Sequence, residues 1–116
     1  MLSYYLIILN VMDITAKNFN EFINAEYLTA VDFWAPWCGY CIKLAPVLEA
    51  AVSEYGEKIT LGKFNCDADE ENDLAMSLGI MSIPAVFFYK KGEKVGSFAG
   101  FKDKTEIKKI IDGFIG

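Results

Sequence analysis

Histidine is missing from all 116 residues, which removes the commonest metal ligand and every Cys–His or Ser–His catalytic pair. Any nucleophile must therefore be activated in some other way. Cysteine is scarce: three are too few for the disulfide-dense scaffold of a small secreted domain, and two of them fall in one tetrapeptide, Cys38-Gly39-Tyr40-Cys41. A basic surplus is missing as well. With a formal net charge of -5 and no Lys/Arg patch, the chain cannot neutralise a run of phosphates, and nucleic acid is excluded as a partner. A membrane-spanning run is also wanting. The apolar opening Met1–Val11 reaches only about half the length a helix needs to cross a bilayer. It has neither the basic start nor the small-residue cleavage pattern of a signal peptide, so the expected setting is cytoplasmic, with no membrane association.

What is present is ample apolar material: 53% of the residues are hydrophobic and 15% aromatic, against 23% charged. That suits one compact core, so residues 1–116 are expected to form a single domain, with the opening segment lengthening a first strand. Contact with another molecule is the alternative role for that segment, and Met12 is an alternative natural start.

Periodicity then orders the chain. Thr15 followed by Phe19, Phe22 and Ile23 predicts a capped short helix through about residue 25. Ala30–Ala35 is a short apolar run suited to a central strand, ending at the Pro36-Trp37 corner. Leu44, Val47, Leu48, Ala51, Val52 and Tyr55 mark one face of a long helix that starts near Cys38, contains Pro46 and stops at Gly56. Ile59–Asn65 reads as a strand, and the acidic stretch Asp67–Asp73 opens a helix, where carboxylates suit the dipole. Ala85–Tyr89 and Lys94–Ala99 form a hairpin across Gly92. Asp103 and Glu106 give a capping-box pattern ahead of a last helix whose inward stripe is Ile107, Ile110, Ile111 and Phe114. The order β-α-β-α-β-α-β-β-α predicts an α/β fold: a mostly parallel sheet covered on both faces, with the hairpin as an antiparallel edge.

A Cys-x-x-Cys pair at the start of a helix suits thiol exchange. The unpaired N–H groups and partial positive charge there favour a thiolate on Cys38, the nucleophile, while Cys41 one turn later can resolve a mixed disulfide. A zinc site would need two more ligands, and only Cys66 remains. A purely structural disulfide fits poorly with so short a loop. Cys66 itself reads as a buried, inert thiol. Asp32 interrupts the apolar run Ala30-Val31-Asp32-Phe33-Trp34, where a carboxylate costs stability unless it has a partner or a task. Desolvation would raise its pKa and let it accept and return a proton for Cys41, with Lys63 in the next strand as counter-charge. Solvation at the strand edge is the alternative for both residues.

Trp34-Ala35-Pro36-Trp37-Cys38-Gly39-Tyr40-Cys41, with Asp32 upstream, Pro46 in the helix, Lys63 in the following strand and Gly79-Ile80-Met81-Ser82-Ile83-Pro84 later, resembles the thioredoxin family over about residues 11 to 116. The resemblance implies the thioredoxin fold, a central mixed five-stranded sheet flanked by four helices. It implies a redox disulfide between Cys38 and Cys41, Asp32 as buried proton carrier, Lys63 as its modulator, and a cis proline at Pro84. Trp37, Gly39, Tyr40, Ile83, Pro84 and Gly100 would bind substrate, with Trp37 at the surface, Trp34 beneath it and the Ile83 backbone turned toward an extended peptide. No bound cofactor or metal is implied; a thioredoxin reductase would supply electrons, disulfide-containing proteins would receive them, and the chain would act as a monomer in electron transport and cell redox homeostasis.

This sequence also departs from the family pattern. Tyr40 stands where the family usually has proline, which leads us to expect a somewhat less reducing protein. Ala85 replaces a frequent threonine, and Met81 and Phe101 join Trp37 and Tyr40 in an apolar rim suited to broad protein substrates. Two rivals accompany the reductase reading. One is a disulfide isomerase or oxidase, favoured by the non-proline dipeptide; the other is a docking subunit without catalysis, which would need none of Cys38, Cys41, Asp32 or Lys63.

Overall fold

Five apolar or alternating runs pair into one sheet in the computed structural model, which describes residues 11–115. The expectation that residues 1–10 extend the first strand lies outside the described residues. The strands are β1 (Val11–Ile14), β2 (Leu28–Trp34), β3 (Ile59–Asn65), β4 (Ala85–Lys90) and β5 (Glu93–Ala99), in the spatial order β1-β3-β2-β4-β5. Helices α1 (Phe19–Ile23), α2 (Gly39–Ser53), α3 (Asp69–Ser77) and α4 (Lys104–Ile115) cover the two faces. Among the described residues no helix is long and apolar enough to cross a membrane.

β2 is central because nearly all of it is buried, and its side chains alternate between two cores. Leu28 and Ala30 join Leu44, Leu48, Ile107 and Ile111 beneath α2 and α4. Val31 and Phe33 join Phe19, Phe64 and Phe87 on the side of α1 and α3, where Phe33 meets Phe64 and Phe87 at centroid distances of 5.3 and 5.1 Å. That alternation puts Asp32 on the α2 face, directly in register with Lys63 of β3.

The sheet is mixed and five-stranded, as the family resemblance implied, with the hairpin at one edge, and it is less parallel than periodicity alone suggests. β1, β3 and β2 run parallel, but β4 lies antiparallel to β2 as well as to β5, so parallel and antiparallel pairings are equal in number. The reason lies in α3, whose nine residues span only about 13 Å, against about 23 Å for the seven residues of β3. The chain does not travel back along the sheet and re-enters it near the end it left, with Ala85 opposite Phe33. Lys91 and Gly92 turn the hairpin with φ of 54° and 83°, the two positive values that a two-residue type I′ turn requires.

Two helix ends differ from the sequence reading. Thr15 does not cap α1. The Asn18 side chain accepts the Thr15 N–H at 2.7 Å, which closes a turn over residues 15 to 18 and delays the helix to Phe19. Tyr55 lies beyond α2 rather than on its face: its hydroxyl donates to Asp112 at 2.6 Å and also lies 3.0 Å from the Lys108 carbonyl, tying the helix end to α4. At α4, Asp103 accepts the Glu106 N–H at 2.9 Å, while the Glu106 carboxylate turns to Lys102 at 3.8 Å.

Candidate active site

The carboxyl end of β2 turns at Ala35-Pro36-Trp37 and delivers Cys38 to the N-cap of α2. Three backbone contacts fix it: its N–H donates to the Ala35 carbonyl at 3.1 Å, its carbonyl accepts from Ile42 at 3.1 Å, and its Sγ accepts the Cys41 N–H at 3.2 Å. A sulfur at this position faces the unpaired N–H groups of the first turn, so negative charge on it is stabilised. Cys38 and Cys41 are joined by a disulfide, with Cα atoms 5.2 Å apart. Cys38 is 8% exposed and Cys41 2%, so an incoming sulfur reaches Cys38 first.

Opposite the disulfide stands the loop before β4. The Ile83–Pro84 peptide bond is cis, the Ile83 carbonyl oxygen lies 3.9 Å from Cys38 Sγ, and the Ile83 side chain packs against the cysteine pair. Gly100, at φ +81°, donates its N–H to the Pro84 carbonyl at 2.8 Å and so links the end of β5 to this loop. A Cβ added at Gly39 or Gly100 would meet nothing within 4 Å, so open space lies beside Cys38 at the start of α2 and beside the Pro84 loop. Around that space the surface is apolar: Trp37 is 71% exposed and Met81 96%, with Tyr40, Ile42 and Phe101 also exposed. Asp67, which sequence reasoning treated only as part of an acidic helix start, accepts the Trp37 indole N–H at 2.9 Å and holds that ring in place. Nothing in local sequence spacing signals this contact, because it spans thirty positions.

Beneath the disulfide, Lys63 donates to Asp32 Oδ2 at 2.7 Å, while Asp32 Oδ1 is buried with no partner among the described residues. Burial pushes the Asp32 carboxyl above its ordinary value of 3.8; Lys63 opposes the shift through charge and hydrogen bonding, and the charge of Glu49 adds to it. A groove of about 240 Å³, lined by Trp34, Cys41, Ile42, Ala45, Glu49 and Lys63, lies behind Cys41. Trp34 is half-buried against Ala35 and the cysteines, with the Lys63 ammonium 5.7 Å from its ring centre. Cys66 is a buried free thiol; burial, reinforced by the Asp32 charge, pushes it up to about 11, which leaves it protonated near neutral pH. The residues singled out from the sequence thus gather at one end of the sheet, with a nearly buried disulfide whose Cys38 is the more exposed partner, the loop of Ile83 and Pro84 facing it, and Asp32 with Lys63 below. Such a site can break a disulfide by thiolate attack and re-form its own.

The family model described as Thioredoxin matches residues 10–113. The chloroplastic M-type thioredoxin of Zea mays is 41% identical over 101 residues, covering 86% of this chain and 59% of that protein. The thioredoxin of Bacillus subtilis is 41% identical over 88 residues, covering 76% of this chain and 83% of its own length. That of Listeria monocytogenes is 38% identical over 105 residues, covering 90% of this chain and 99% of its own length. The chain therefore spans just under three fifths of the chloroplastic relatives and nearly all of the Listeria one. Among solved structures, Malassezia sympodialis thioredoxin superposes with a TM-score of 0.79 at 28% identity, covering 91% of each chain.

Proposed function

The chain belongs to the thioredoxin family, whose members are thiol–disulfide oxidoreductases, and on that premise we propose that it reduces disulfides in other proteins through Cys38 and Cys41. The observation that carries the reading is the disulfide set on the N-cap of α2, with its more exposed sulfur belonging to Cys38. In the reduced protein the Cys38 thiolate attacks a substrate disulfide, forming a mixed disulfide and releasing one substrate thiolate. Cys41 gives its proton to Asp32, and the resulting thiolate displaces the substrate sulfur from Cys38, restoring the intramolecular disulfide. Lys63 holds Asp32 in place and tempers its proton affinity. An extended substrate segment would lie along Ile83 and Pro84, between Gly100 and the apolar rim of Trp37, Gly39 and Tyr40. Electrons would come from a thioredoxin reductase. A cytoplasmic setting belongs to the same proposal, supported by the near full-length match to a bacterial thioredoxin. Dithiothreitol-driven insulin reduction tests the reading: catalytic amounts of the protein should hasten precipitation of the insulin chains, and a rate no greater than with dithiothreitol alone would reject it.

Tyr40 keeps the isomerase or oxidase alternative in play and gives it a measurable form. As the second residue of α2 it contributes an N–H to the first turn that proline could not, and each such donor stabilises the reduced thiolate. A stabilised reduced form is a weaker reductant. Equilibration with glutathione should therefore place the wild-type couple roughly 10–40 mV less negative than that of Tyr40→Pro. A wild-type potential equal to or below that of the variant would dismiss this account of the dipeptide.

A further inference from the structure

Glu49 takes no part in the exchange chemistry described above, yet it stands on the groove behind Cys41. Cys41, Ala45 and Glu49 follow one another at i, i+4 and i+8 along α2 and line one flank of that groove, which Trp34 and Lys63 also line. Lys63 connects this carboxylate to the interior: its ammonium lies 2.7 Å from Asp32 Oδ2 and 3.8 Å from Glu49 Oε2. The Lys63 side chain is 12% exposed and that of Glu49 38%, so the three charges run from the solvent side of α2 down to the fully buried Asp32.

One ammonium shared by two carboxylates bears directly on the proton step. While Asp32 is ionised, the shorter contact and the drier surroundings keep Lys63 on it. Once Asp32 has taken the Cys41 proton it is neutral, and a nearly buried ammonium is left beside an uncharged acid, a costly arrangement unless another anion is within reach. Glu49 is that anion. We propose that Glu49 is a positioning residue for the proton step: it receives the Lys63 ammonium when Asp32 carries the Cys41 proton and returns it when that proton leaves. The inference rests on the disulfide-exchange reading for its biological meaning. The Cys41 S–H bond breaks, an Asp32 O–H bond forms, the Cys41 thiolate closes the disulfide on Cys38, and the Asp32 proton is afterwards lost to solvent along the groove. Glu49 touches neither sulfur and acts only through Lys63. The other titratable groups around this pair are Asp13 of β1, in register with Lys63 and lining a second hollow with it and Glu71; Cys41, which lines the groove from α2; and Cys66, just past the end of β3 and protonated near neutral pH; the register partner of Asp32 in β4 is the uncharged Val86. The negative charge of Glu49 favours the protonated form of Asp32 in the same sense as burial does.

Carbon NMR titration of the Asp32 side-chain carboxyl in the oxidised protein, assigned by its loss in Asp32→Asn, reads this exchange without any turnover. In Glu49→Gln the midpoint should fall by roughly half a unit or more, because the proton-bearing state has lost its second counter-ion. In a Lys63→Gln background the same substitution should move the midpoint by less than half as much, since there is no ammonium to transfer. An unchanged midpoint in Glu49→Gln, or equal shifts in both backgrounds, overturns the proposal and leaves Glu49 an ordinary surface carboxylate. If the titrations behave as expected while the wild-type protein fails to reduce insulin, the exchange of Lys63 stands and the reductase reading falls.

Discussion

Serine at position 38 is expected to reduce insulin turnover by roughly 10³-fold or more while leaving the fold in place. A hydroxyl at its ordinary pKa is almost never ionised at neutral pH, and the helix start cannot make up that difference. The backbone, by contrast, has little reason to object. Residue 38 is the N-cap of α2 and its side chain accepts the Cys41 N–H, a task serine performs well. The proper reference is the reduced wild-type protein, because a disulfide closing so short a loop contributes on the order of 2 kcal/mol by chain entropy alone. Cys38→Ser should melt close to that reduced form. Cys41→Ser should behave differently: with the nucleophile intact and the resolving sulfur gone, it should accumulate a mixed disulfide with its substrate, visible on a non-reducing gel and released by dithiothreitol. Full activity in Cys38→Ser, or trapping by that variant instead, would reverse the roles assigned here.

Asp32→Asn should produce two opposite effects. Without a carboxylate to take the Cys41 proton, release of the mixed disulfide at neutral pH should slow by roughly 10²-fold, and the deficit should shrink at high pH, where Cys41 ionises unaided. Rapid-mixing measurement of the resolving step resolves this from the initial attack, which should be little changed. Stability should move the other way. Burial raises the folded-state pKa of Asp32 above 3.8, so from 3.8 upward to the folded value the native protein binds more protons than the unfolded chain. Wild-type stability therefore falls as pH rises through that interval, while below it both states are protonated and nothing is lost. The amide introduced by Asp32→Asn does not titrate and carries no such slope, and its oxygen can still accept from Lys63. Chemical denaturation should find the variant more stable than wild type at pH 8, by roughly 1–3 kcal/mol, with the advantage disappearing as pH approaches about 4. Lower stability of Asp32→Asn at alkaline pH would mean that the ion pair with Lys63 outweighs desolvation.

A residue's situation is legible in the sequence where its immediate neighbours decide it. β3 was expected over its observed span because an alternating run is bounded by a turn at each end, and the start of α2 followed from the Pro36-Trp37 corner and the cysteine spacing. Asp32 stood out because a carboxylate in an apolar strand is conspicuous, and the register that seats Lys63 beside it follows once the strands pair. Failures came where distant parts of the chain decide. The sheet is mixed, as the family resemblance implied, but that its parallel and antiparallel pairings are equal in number depends on how far α3 carries the chain, and the position of Tyr55 depends on its contacts with Lys108 and Asp112. Asp67 and Glu49 escaped notice for the same reason. Each looks like ordinary surface charge in sequence, and only the fold brings one to the Trp37 indole and the other to the Lys63 ammonium.

The proposed chemistry depends on Cys38 holding negative charge at the start of α2 more easily than an isolated thiol would. A pH titration of the reduced protein by its thiolate ultraviolet absorbance, with Cys41→Ser used to isolate the first sulfur, measures that directly. Cys38 should ionise clearly below the value of about 8.5 typical of a free cysteine, with Cys41 ionising above it. A midpoint for Cys38 at or above about 8.5 would contradict the account.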